Sequence, residues 1–189
     1  MKMKRNIALA ALGVALGAAL ILTQAGWSEI ASYKLEGSWI GKVVGTPVTW
    51  SYAMIPDPSG RRAAMSGSVQ VPLGPSVVIP GLFPDLEYYS PMVGQVRMTG
   101  PDTTEGTALG YGMKKGFPFN QVVCIWVNNV QSRFLEPGKI VSTNHLAFYA
   151  PSADADKDGL PDPGAVPALC LPASISLETR VPIMPPCTP

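Results

Sequence analysis

The chain has 189 residues, 14 Lys plus Arg against 13 Asp plus Glu, and a single His. That length fits one domain. The near-neutral charge gives no basic stripe for nucleic acid, and 14% charged residues are too few for a disordered acidic segment. With 19 Gly and 20 Pro the chain is turn-rich, which points to an all-β class.

Residues 1–25 read as a secretory leader. Lys2, Lys4 and Arg5 precede an apolar run from Ile7 to Leu22, and small residues follow at Ala25 and Gly26. An uncleaved anchor reaching Trp27 is the alternative, and the membrane would then be touched through the leader alone. Cleavage after Ala25 removes three basic residues, so a chain of net charge +1 becomes −2. The predicted mature domain, 26–189, ends in a proline-rich tail and is destined for the periplasm or the extracellular space. Disulfides persist there. Of the three cysteines, Cys124 reads as a small buried hydrophobe, and Cys170 with Cys187 is the favoured pair.

No stretch of a dozen residues carries helical apolar spacing, whereas alternation with period two is common. The spacing predicts eight strands. The first is 38–44. In 47–55, Val48, Trp50, Tyr52 and Met54 share one parity, and Pro56-Asp57-Pro58-Ser59-Gly60 turns the chain into 61–71, where Met65, Val69 and Val71 oppose Arg62, Ser66, Ser68 and Gln70. The long proline-rich stretch from Pro72 to Tyr89 is either a lid over one end or a wandering connection.

In 90–99, Met92, Val96 and Met98 face one way. In 103–114, Leu109, Tyr111 and Met113 alternate with Ala108, Gly110 and Gly112, a pattern expected where another backbone approaches closely. The continuous apolar run 122–127 within 120–130 predicts burial on both faces. Segment 139–149 follows, and 174–183 alternates Ile175, Leu177, Val181 and Ile183 with Ser176, Glu178 and Arg180. Eight successive strands joined by turns predict a closed up-and-down antiparallel barrel, which has no exposed edges and room for one small ligand. A two-sheet sandwich satisfies the same alternation.

Gly37-Ser38-Trp39, opening the first strand after the leader, resembles the Gly-x-Trp start of the lipocalins. The resemblance implies that Trp39 closes the barrel floor, that Arg180 packs across it, and that the interior holds an apolar ligand. The family's Thr-Asp-Tyr signature is missing, as is a helix after the last strand.

Asp154-Ala155-Asp156-Lys157-Asp158-Gly159-Leu160-Pro161-Asp162 matches the front of a calcium loop, with acidic side chains at positions 1, 3, 5 and 9, Gly at 6 and a carbonyl from Leu160 at 7. It resembles the Asp-rich repeats of extracellular calcium-binding modules. Position 12 holds Ala165 in place of the bidentate Glu, so a solvated acidic loop is the competing reading.

Catalytic patterns are sparse. One imidazole, His145, excludes a multi-histidine zinc site, no Gly-x-Ser-x-Gly elbow occurs, and Glu105, Glu136 and Glu178 have no informative spacing. The expected function is therefore non-enzymatic: a barrel that binds a small apolar molecule, with Trp50, Tyr52, Met98 and Tyr111 as its wall. A structural or interaction module of the cell envelope with a calcium-stabilised loop is the alternative.

Overall fold

A computed structural model describes residues 34–71 and 81–182. The predicted leader, the Pro-rich stretch 72–80 and the tail bearing Cys187 lie outside the described residues. Ten strands run β1 (Gly37–Val43), β2 (Thr49–Pro56), β3 (Arg62–Gln70), β4 (Tyr88–Tyr89), β5 (Met92–Met98), β6 (Thr103–Lys114), β7 (Gln121–Glu136), β8 (Lys139–Tyr149), β9 (Leu169–Cys170) and β10 (Ser174–Arg180).

Eight of them form a ring. Every pairing is antiparallel, in the order β1-β2-β3-β5-β6-β7-β8-β10, and β10 returns to β1 with Trp39 opposite Arg180. The two-residue strands β4 and β9 add to β6 and β8 respectively. This is the closed eight-stranded barrel that the alternation predicts; a sandwich would leave β1 and β10 unpaired. Closure gives the backbone donors and acceptors of the terminal strands partners that an open edge would lack.

The two ends differ in their connections. At one end the turns are short (57–61, 99–102 and 137–138), and the chain enters and leaves there, with Val181 N donating to Ser38 O at 2.8 Å. At the other end lie the longer links 71–91, 115–120 and 150–173. The short end is a floor. Trp39 is wholly buried, Phe134 meets it edge-on at 6.3 Å between ring centroids, and the Arg180 guanidinium carbon stands 4.9 Å from the Trp39 ring centroid. Arg180 Nη2 donates to Lys34 O at 2.9 Å, and Lys34 pairs with Asp102. Gly37 enters β1 at φ +120°, a conformation that favours glycine.

One face departs from the expected parity, and a second, left open by the alternation, is set by the structure. In β6 the small side runs inward: Ala108 is buried inside, and a Cβ at Gly110 would overlap the Trp126 indole. Leu109 and Tyr111 therefore face outward. In β10 the polar side runs inward: Ser176 and Glu178 are buried, whereas Ile175 and Leu177 are 44% and 53% exposed. The expected burial of the β7 run on both faces holds only for its middle: Cys124, Ile125 and Trp126 are buried in succession, whereas Val122 is 41% exposed, and a 3-10 turn at Pro151–Ala153 packs against that strand.

Candidate functional site

Inside the barrel lies a cavity of about 310 Å³, within the ~300–1,000 Å³ range of small-molecule sites but at its lower end. Its walls are mainly apolar. Trp50, Tyr52 and Met54 of β2 meet Met65 and Val69 of β3, Met92 and Val96 of β5, and Trp126 of β7. Two indoles lie flat because glycine sits beneath them. A Cβ at Gly41 would overlap Trp50, and one at Gly110 would overlap Trp126, so each ring covers bare backbone on its neighbouring strand. The end of the 71–91 link plugs the wide mouth: Leu86 is buried beside Gly112, and Tyr89 stands edge-on to Trp126 at 6.3 Å.

One side of the cavity is polar. Asn128 Nδ2 donates to Asn144 Oδ1 at 2.9 Å, and Asn144 Nδ2 donates to Ser176 Oγ at 3.0 Å. Ser176 Oγ passes a hydrogen to Glu178 Oε1 at 3.2 Å, and Ser142 Oγ donates to the same oxygen at 2.6 Å while lying 2.7 Å from Ser132 Oγ. Tyr52 Oη donates to Glu178 Oε2. These residues come from β2, β7, β8 and β10, and their order on each strand follows from the register that sets Ser176 against Ser142 and Asn144 against Val130.

Glu178 is 5% exposed and lines the cavity, and among the described residues it joins no ion pair. Burial raises the Tyr52 phenol well above its ordinary value, and the adjacent Glu178 charge and hydrogen bond raise it further; Tyr52 therefore remains a neutral donor. Burial likewise pushes the Cys124 thiol up to about 11, so it is a poor nucleophile at neutral pH.

The expected wall is half present. Trp50 and Tyr52 line the cavity. Met98 shares the inward parity of Met92 and Val96 but packs into the core away from the cavity lining. Tyr111 corrects the sequence reading: it lies on the outer wall, where its hydroxyl donates to Gly159 O at 3.0 Å. The small inward residues of β6 leave the interior to rings from β7. Glu178, Ser142, Asn144 and Asn128 are the residues that sequence reasoning missed. The signal was available in period two, because placing Arg180 at the floor also turns Glu178 and Ser176 inward.

The Asp-rich loop is fastened outside the barrel by that Tyr111 bond. Carboxylate oxygens of Asp154, Asp156 and Asp162 lie within 4.8 Å of one another, a spacing that suits one hard cation. Asp158 lies outside this group; its Oδ1 accepts from Leu160 N at 2.8 Å, so the position-5 ligand of the loop pattern is turned to a local backbone bond. Asp162 and Asp154 also accept from Ala155 N and Gly159 N at 3.0 and 3.1 Å, which fold the loop around the three carboxylates. His145 is exposed on the outer surface of β8. Cys170 is exposed and Cys124 buried, with no bond between them, and the pairing of Cys170 with Cys187 falls outside the described residues.

No protein-family model matches this chain, and no curated protein is significantly similar to it. A solved structure described as "Structure of EF1p2_mFAP2b bound to DFHBI" is similar at 14% identity and a TM-score of 0.41, covering 79% of this chain and 98% of that one.

Proposed function

We propose that this is an exported, non-enzymatic barrel that binds a small, largely apolar molecule in its interior. The observation that carries this reading is the cavity of about 310 Å³, walled by Trp50, Trp126 and methionines and bordered on one side by oriented polar groups. An apolar enclosure with a few convergent polar groups is the usual make-up of a ligand site. Export is supported by the basic and then apolar leader. The non-enzymatic reading is supported by the outward position of His145 and the raised Cys124 thiol.

The test is a saturable rise in fluorescence of the neutral probe N-phenyl-1-naphthylamine, with loss of that signal in Ala108→Phe, whose ring would occupy the cavity. A variant that stays folded by its thermal midpoint and binds the probe as before would overturn the reading.

The convergence of Asp154, Asp156 and Asp162 favours a second, compatible role for the outer loop: a calcium clamp that holds the 150–173 link against the wall through Tyr111. This role is stabilising, and it is the part of the envelope-module reading that the geometry supports.

A further inference from the structure

The polar side of the cavity has a direction. A chain of side-chain hydrogen bonds there leads to Glu178: Asn128 to Asn144, Asn144 to Ser176, Ser176 to the carboxylate, with Ser142 and Tyr52 donating from either side, while Asn144 Nδ2 also reaches Ser174 O at 3.4 Å. A carboxylate offers about four acceptor positions. Oε1 takes two hydroxyls and Oε2 takes one, so acceptor capacity remains on the oxygen nearest Tyr52. At the far end of the chain, Asn128 Oδ1 is buried with no hydrogen-bond partner among the described residues. The cavity thus holds two unused acceptors, one of them on a group with no ion-pair partner among the described residues, inside an apolar enclosure.

A buried carboxylate is costly unless it is paired as well as hydrogen-bonded. Hydroxyls supply the hydrogen bonds, and among the described residues no cation pairs with it. The surrounding rings suit one: Trp50, Trp126 and Tyr89 all line the same space, and indole faces attract ammonium groups. Conversely, an anionic head group entering beside Glu178 would meet a like charge in a low-dielectric setting.

We infer that the ligand is a small apolar molecule bearing a primary amine, whose ammonium docks on Glu178 while its hydrocarbon part lies between the indoles. This inference rests on the ligand-binding reading above and adds a charge selectivity to it: amines are taken and fatty acids are refused.

The experiment is isothermal titration calorimetry with three probes that share one ring system: 1-naphthylmethylamine, 1-naphthylmethanol and 1-naphthoic acid. The amine is expected to bind on the order of tenfold or more tighter than the alcohol, and the acid weakest. In Glu178→Gln the advantage of the amine over the alcohol should vanish. Tyr52→Phe removes a hydroxyl donor and leaves the carboxylate in place, so amine preference should persist or grow; this second variant keeps the test decisive if Glu178→Gln does not fold. Equal binding of amine and alcohol to the wild-type protein, or preference for the acid, would overturn the inference while leaving a ligand cavity intact. Binding of none of the three would overturn the inference together with the reading on which it rests.

Discussion

Two charged side chains sit two residues apart on the inward face of β10 and are treated differently. Arg180, at the floor, lies over the Trp39 ring and donates to a backbone carbonyl, so its charge serves to close the barrel. Glu178, one step up, is held by three hydroxyls and retains acceptor capacity toward the cavity. The same strand thus supplies a structural charge below and a receptive one above. What separates them is the company they keep: an aromatic stack absorbs a cation, whereas hydroxyls orient an anion without neutralising it.

The largest effect that would test this division is at the floor. Trp39→Ala removes a wholly buried ring against which Phe134 and Arg180 pack, and is expected to cost ~3–5 kcal/mol in urea unfolding. A loss below about 1 kcal/mol would show that the floor contributes little to closure.

A smaller effect separates the two regions by pH. Cys124 and Tyr52 both have folded-state values raised above their ordinary 9.0 and 10.0, chiefly by burial. The unfolded chain releases these protons first, so their stabilising contribution is complete below pH 9.0 and declines as the pH rises, the thiol's part being lost by about 11 and the phenol's above its ordinary 10.0. The thermal midpoint should therefore fall between about pH 9 and 11, and Cys124→Ala should flatten the first part of that fall. A midpoint that is level across this range would contradict the buried, neutral state of both groups.

The smallest expected effect lies outside the barrel altogether. Calcium at ten times its dissociation constant should stabilise the protein by about 1.4 kcal/mol, read as a rise in thermal midpoint. Asp154→Ala should abolish the rise and Asp158→Ala should keep it, because only the former belongs to the converging set. An identical response in both variants would remove the clamp.

The ring of eight strands was legible because turn residues punctuate the chain at strand length and because β2, β3 and β5 alternate plainly: Met65 and Val96 face inward where parity places them. The cavity's chemistry was harder to read. Alternation shows that a strand has two faces and leaves open which one faces inward. In β10 the apolar residues Ile175 and Leu177 are outside, since hydroxyls of Tyr52 and Ser142 and the amide of Asn144, from two other strands, satisfy Ser176 and Glu178 within. Such partners are distant in sequence, as with Tyr52 and Glu178, and no local pattern announces them. In β6 large residues went outward for the complementary reason: Gly110 yields its inner space to Trp126, and Tyr111 is used by a loop nearly fifty residues later.

Because Ser38 and Val181 are bonded to each other beside Trp39, the domain begins and finishes at a single pole. Anything tethered ahead of Lys34 or fused beyond Pro182 would start from that pole, opposite the one over which Leu86 and Tyr89 pack. A molecule anchored this way would turn its stoppered end outward, like a corked flask held by its base.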